Sequence, residues 1–392
     1  MLFRSIFLAL NVGTTAMVAR YRGAGNQEKA NLILRQALML SLIFSVITSI
    51  LGYLFAEKLI LFMGAAEEKT LQGGTIYLKI QMIGLTFMAL TSTITAGLRG
   101  VGNSRTAMIY NLTANLVNVF LNYLLIEGHF GFPRWEVAGA SLATIIGQFV
   151  AFVFALVYIM KGDQYLHLHL KDGFKPEPHS LKQIITIGAP AMMEQLLMRA
   201  GVIIYSKTIA GLGTVAYAVH QICMNMQALS FMNGQGFAVS ATSLTGQSLG
   251  KNRPDLAHAY VHRTRRLGMF VSIILGTIFI FWGGNIVSLY NDSPDLVSQG
   301  ARIMMFVGFT QPLQSSQFIL SGSLRGAGDT RSIAVITFVT VLLIRPLLAI
   351  YLINVWHMGL EGAWFAFIVD QIIRSALVLI RYNSGKWKNI KV

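Results

Sequence analysis

Apolar runs of about twenty residues, each closed by a short polar connection, recur eleven times along this 392-residue chain. That pattern leaves few folds open, because about twenty apolar residues is the length at which an α-helix crosses a bilayer. The runs lie near 1–20, 33–56, 71–97, 105–126, 138–160, 182–210, 214–246, 264–290, 297–322, 331–354 and 360–380. Turn chemistry separates them at Gly23-Ala-Gly25-Asn26, Gly100-Val-Gly102-Asn103, Asn291-Asp-Ser-Pro294 and Gly326-Ala-Gly328-Asp329. Hydrophobic residues make up 54% of the chain and charged residues only 12%, about half the charged share of a soluble domain. The fold class predicted is an all-α polytopic membrane protein.

The net charge of +15 raises nucleic acid as a partner, and the placement of the charges argues against it. A nucleic-acid binder gathers them in a patch on a folded domain. Here they occupy alternate connections between the apolar runs. One set holds Arg20, Arg22, Lys29, Arg35, Arg99, Arg105, the 161–182 segment, the Lys251–Arg266 stretch, Arg325, Arg331 and the tail to Lys391. The other holds Glu57, Glu67, Glu68, Glu127, Glu136, Asp292, Asp295 and Glu361. Basic loops face the cytoplasm, which predicts a cytoplasmic C-terminus. The single cysteine, Cys223, lies in an apolar run and offers neither a disulfide framework nor a thiolate metal site.

The chain repeats itself. Gly97-Leu-Arg99-Gly100-Val-Gly102-Asn-Ser-Arg105 matches Ser323-Leu-Arg325-Gly326-Ala-Gly328-Asp-Thr-Arg331 at an offset of 226, and Gly139-Ala140 with Gln148 matches Gly362-Ala363 with Gln371 at 223. Both copies start on the same side of the membrane, so the repeat is parallel: two pseudo-symmetric bundles around a central cavity. The organisation read from this is an N-terminal lobe at 1–166, a cytoplasmic linker at 167–181 and a six-helix C-terminal lobe with a basic tail at 182–392. Against its twin the first lobe lacks about one and a half helices, which predicts an ancestral design of two six-helix bundles and an N-terminally truncated chain, the alternative being a genuine eleven-helix protein.

Ionisable groups inside a bilayer cost about 3 kcal/mol or more each. Glu194 falls about twelve residues into the run at 182–210, roughly 18 Å deep at 1.5 Å per residue. It stands one turn past Pro190, which frees the Thr186 carbonyl. A carboxylate there can bind Na⁺, take up a proton, or form a structural ion pair. Asp370 lies one turn from Arg374, and Arg345 reaches a similar depth from the other side. They make either a self-neutralising structural ion pair or a pair that releases Asp370 during transport. Asn111, Asn115, Asn118 and Asn122 share one helix face, where they either bind neighbouring helices by hydrogen bonds or line a wet cavity, with Asn118 and Asn122 the preferred pair. Tyr217, Asn225, Gln227, Gln311 and Gln314 are further candidates for lining a substrate cavity. Tyr217 offers an aromatic face to organic cations. His220 reads as a packed, hydrogen-bonded histidine in preference to a proton carrier.

Three motifs carry a family resemblance. Ala218-Val-His220-Gln221-Ile-Cys-Met-Asn225, continuing to Gly236-Phe237 and Leu244-Thr-Gly246-Gln247-Ser-Leu249-Gly250, resembles the eighth helix of multidrug and toxic compound extrusion (MATE) transporters. Gly97–Gly102 and Ser323–Gly328 are similar to that family's paired loops after helices four and ten, and Asn118-Val-Phe-Leu-Asn122 to its fifth-helix motif. The resemblance implies two six-helix lobes and cation-coupled antiport of organic cations and amphipathic drugs. It also implies a cation-binding role for Glu194, which stands where the family's seventh helix carries a Glu. Two departures are visible. The coupling Asp that some members place on helix one is absent, and Phe309-Thr-Gln311-Pro312-Leu-Gln314 offers only amides where others place one on helix ten.

The predicted function is therefore a Na⁺- or H⁺-coupled antiporter of the plasma membrane, monomeric and without a cofactor, exporting small-molecule drugs or organic cations. No metal is expected beyond a Na⁺ at Glu194. The alternative is a lipid-linked oligosaccharide flippase, whose cavity would be cationic for a pyrophosphate headgroup. No HExxH zinc signature, Gly-x-Ser-x-Gly elbow or phosphate-cradling loop points to an enzyme.

Overall fold

A computed structural model describes residues 2–64, 67–161, 165–169 and 173–390. Each of the eleven apolar runs lies in a helix. In chain order these are α1 (Leu2–Gly23), α2 (Gln27–Leu54), the short α3 (Ala56–Phe62), α4 (Glu68–Gly100), α5 (Ser104–Glu127), α6 (Glu136–Met160), α7 (Pro178–Ala210), α8 (Thr214–Gly250), α9 (Pro254–Ser288) and α10 (Pro294–Gly326). The last membrane-length run is α11 (Thr330–Thr337), a π-helical segment (Phe338–Ile344) and α12 (Arg345–Asn354) in succession, before α13 (Gly359–Asn383). Among the described residues, eight helices are long and apolar enough to cross a bilayer.

The helix boundaries reproduce the repeat found in the sequence. α4 and α10 are both 33 residues long, and their ends are displaced by the same 226 residues. α6 and α13 are both 25 residues long, displaced by 223. The turns repeat bond by bond as well. After α4, the Asn103 amide donates to the Leu98 carbonyl at 2.8 Å and the Gly102 amide to Arg99 at 3.0 Å. After α10, Asp329 donates to Leu324 at 2.8 Å and Gly328 to Arg325 at 3.0 Å. This pairing closes a helix through a left-handed residue, supplied by Gly102 at φ 88° and Gly328 at φ 90°.

Two compact units divide the chain at residues 185 and 186, inside α7. In the first, α4 packs on α2 and α6, and α5 on α6. Hydroxyls join these helices: Ser41 Oγ lies 2.6 Å from Thr93 Oγ1, and Thr15 Oγ1 donates to the Ala96 carbonyl at 3.0 Å. The segment after α6 is tucked in, with Leu166 and Leu168 buried and the His167 amide donating to Asn31 Oδ1 at 3.0 Å.

The second unit is built around α10, which packs on α8, α9 and α13. Small residues set the approach of α10 to α8. A Cβ on Gly322 would stand 2.3 Å from the Ala238 carbonyl oxygen, and one on Gly326 would stand 2.2 Å from that of Thr242. Glycines four apart let helix backbones meet this closely in a membrane. Surrounded in this way, α10 buries Gln311, Gln314, Ser315, Ser316, Gln317, Ser321 and Ser323, and neither it nor α8 is apolar enough to be among the eight spans.

Several helices run further than the apolar runs. α9 begins at Pro254 rather than 264, and α7 begins at Pro178, inside the stretch read as linker. A proline fits the first turn of a helix, where its missing N–H is not needed. Glu177 completes the start of α7: its carbonyl accepts the Leu181 amide at 3.0 Å and its carboxylate the Ser180 hydroxyl at 2.5 Å.

Candidate functional site

The charges buried at membrane depth converge in the second unit. Glu194 is 3% exposed and stands midway along the 33-residue α7. It is thus about 24 Å along the helix from Pro178 at 1.5 Å per residue, against about 18 Å from residue 182, the added turn at the start of α7 being polar. Its Oε1 accepts from Arg325 Nη2 at 2.5 Å. The sequence gives no local hint of this pair, because Arg325 is 131 residues away in the turn motif that closes α10.

The second carboxylate, Asp370 on α13, is fully buried. Arg345 grips its Oδ2 through Nε at 3.0 Å and Nη2 at 2.5 Å, and Arg374 donates to the same oxygen at 2.8 Å. Together the two sets hold the buried charges of α7, α10, α12 and α13. Three guanidiniums face two carboxylates, leaving one positive charge in excess. Glu194 Oε2 and Arg374 Nε, both buried, make no hydrogen bond within the protein.

Aromatic side chains of α7 and α13 border Arg345. The Arg345 guanidinium carbon lies 4.7 Å from the Phe367 ring centroid and 5.6 Å from that of Tyr205. Tyr205 is fixed by its hydroxyl donating to the Ala363 carbonyl at 2.8 Å. His220 is buried against Tyr205, Tyr217 and Trp364. Its Nδ1 makes no hydrogen bond.

The other candidates separate. On α8, Tyr217 and Asn225 are exposed whereas Gln227 is buried, so the three do not line one surface. On α10, Gln311 and Gln314 are buried. The Gln311 amide oxygen accepts from the Ser230 hydroxyl and its Nε2 donates to the Val307 carbonyl, joining α10 to α8. In the first unit, Asn118 Nδ2 donates to Thr144 Oγ1 at 3.3 Å and Asn122 Nδ2 to Asn118 Oδ1 at 3.1 Å, while Asn111 and Asn115 are exposed. The asparagine pair is thus a half-buried, uncharged join between α5 and α6. A concavity of about 440 Å³ in this unit, lined by Gln27, Glu28, Asn31, Arg35 and His167, shares no residue with the charge group.

Among the described residues the buried carboxylates are Glu194, Asp329 and Asp370, all in the second unit. Asp329 lies in the α10–α11 turn, bound at 2.7 Å by Arg381. No three His, Cys, Asp or Glu side chains among the described residues are arranged to hold a metal ion. A Na⁺ at Glu194 would therefore draw on one carboxylate together with neutral oxygens.

A parallel repeat of membrane-length helices, with buried charges paired between them, defines a multi-pass membrane transporter. The chain belongs to the MatE family, whose model matches residues 1–124 and 190–351. It is 29% identical over 384 residues to the probable multidrug resistance protein NorM of Thermotoga maritima, covering 98% of this chain and 82% of that protein. It is 26% identical over 378 residues to the multidrug resistance protein MdtK of Yersinia pestis, covering 95% and 82%. Its fold matches a MATE family multidrug transporter of the MOP superfamily solved in an outward-facing conformation. The TM-score is 0.91 at 20% identity, over 98% of this chain and 86% of that one.

Proposed function

We propose that this chain exports organic cations and amphipathic drugs from the cell by alternating access, driven by an inward gradient of Na⁺ or H⁺. The observation that carries this reading is the buried pairing of Glu194 with Arg325. A buried ion pair contributes little net stability, yet it responds strongly to any cation that neutralises the carboxylate. A proton or Na⁺ arriving at Glu194 weakens its hold on Arg325, at the very end of α10. Ion binding is thereby felt at the turn that joins α10 to α11. The names of NorM and MdtK point to drugs as cargo, and the placement of basic loops fits a plasma-membrane protein with its C-terminus in the cytoplasm.

A flippase for lipid-linked oligosaccharides is the second reading. The excess of one guanidinium in the charge group favours it, since an anionic headgroup would seek a cationic site. Against it, Arg325, Arg345 and Arg374 are all bound to carboxylates.

Proteoliposomes loaded with tetraphenylphosphonium separate the readings. Imposing a Na⁺ gradient and then a proton gradient should drive tetraphenylphosphonium movement under one of them at least about tenfold above the gradient-free rate. Equal rates with and without either gradient, alongside transfer of a pyrophosphate-linked lipid between leaflets, would replace antiport with the flippase.

A further inference from the structure

Arg345 occupies the kind of surroundings an organic cation seeks. Its guanidinium lies between the Phe367 and Tyr205 rings and against the Asp370 carboxylate. Arg345, Tyr205, Phe367 and Asp370 are all more than nine-tenths buried. Ring faces and a carboxylate, all withdrawn from water, attract a cation more strongly than any exposed site does. Asp370 does not depend on Arg345 for neutrality, because Arg374 binds the same oxygen from one turn along α13. Arg345 can therefore be counted as the surplus charge of the group.

The backbone that delivers Arg345 is irregular. Pro346 follows it and has no N–H to give the Leu342 carbonyl, and the preceding segment Phe338–Ile344 is π-helical. Bonds from i to i+5 set residues five apart over one another, and Thr340 and Arg345 are such a pair. α7 lies hard against the segment, since a Cβ on Gly201 would stand 2.6 Å from the Val341 carbonyl oxygen. Short π segments of this kind mark functional positions in helices. Removing the one-residue surplus turns the following helix by about 100°, enough to carry Arg345 off Asp370.

We propose that Tyr205, Phe367 and Asp370 form the subsite for the cationic group of a substrate, that Arg345 holds it as a tethered competitor, and that the π segment is the hinge on which Arg345 withdraws. The proposal rests on the organic-cation reading above. It adds where the cation binds and what it must displace.

Equilibrium dialysis of tetraphenylphosphonium against the full chain in detergent tests it. Arg345→Met should bind about tenfold more tightly than wild type, because apparent affinity rises when the state that closes the site is removed. Phe367→Leu added to Arg345→Met should lose most of that gain, the ring being a wall shared by Arg345 and the ligand. Arg345→Lys keeps a shorter cation and should show a smaller gain, and it decides the matter if Arg345→Met does not fold. Wild-type affinity in the Arg345 variants that fold overturns the subsite and leaves the efflux reading standing. Absence of tetraphenylphosphonium binding in wild type and variants alike overturns both.

Discussion

Glu194→Gln should leave tetraphenylphosphonium binding intact and lower its gradient-driven export by about a hundredfold, the upper range of coupling between two sites. The amide keeps the shape of the side chain and removes the exchangeable charge. It also leaves Arg325 without its carboxylate, at only 15% side-chain exposure, so a structural contribution has to be separated from a coupling one. The double variant Glu194→Gln/Arg325→Gln does this, because a double-mutant cycle isolates the term the two residues share. If Glu194 served only to neutralise Arg325, removing both charges would restore export. If it carries the coupling ion, the double variant remains uncoupled although the stranded guanidinium is gone. Initial efflux rates from proteoliposomes containing wild type, both single variants and the double variant supply the comparison.

Asp370→Asn should be the most destabilising single substitution in the charge group. Arg345 and Arg374 both end on Asp370 Oδ2, so the amide strands two buried guanidiniums at once. Breaking a buried pair costs about 3–5 kcal/mol, most of it the penalty of the charge left behind. Arg374→Met should cost clearly less, since Arg345 still answers Asp370. Asp329→Asn should also cost less, because its partner Arg381 is 27% exposed and keeps access to solvent. Chemical denaturation in detergent, followed by tryptophan fluorescence, orders the three. Equal midpoints for Asp370→Asn and Arg374→Met would mean that the carboxylate does not hold both arginines.

The helices and their repeat were legible because a bilayer imposes a length and a parallel duplication imposes an offset, and both survive in the letters. Gly102 and Gly328 show this well: the matching motifs become matching turns, down to the left-handed residue. Helix ends were less legible. The starts of α7 and α9 are polar, and an apolar ruler stops short of turns that project beyond the hydrocarbon. Of the site, Asp370 and Arg374 are neighbours by helix periodicity, and Arg345 followed from matching depths. Arg325 was not foreseen as the partner of Glu194, because it belongs to a repeated turn motif whose twin, Arg99, has no acidic partner among the described residues. Comparing the two copies for a buried carboxylate present in only one of them would have been the available signal. The π segment has no periodicity to betray it, and Pro346 was the only hint. The cavity residues proposed on α8 scattered because Tyr217, Asn225 and Gln227 are not spaced to share a helix face.

In the proposed mechanism the coupling ion and the organic cation oppose each other through Glu194, and linkage makes that opposition measurable without transport. If ion binding weakens tetraphenylphosphonium binding by some factor, tetraphenylphosphonium must weaken ion binding by the same factor. Isothermal titration of tetraphenylphosphonium into the wild-type protein, across a series of Na⁺ concentrations and then a series of pH values, gives that factor directly. The prediction is a dissociation constant that rises about tenfold or more along one series, with a flat response along both in Glu194→Gln. A wild-type dissociation constant that changes along neither series, or a Glu194→Gln response equal to the wild type's, would contradict it.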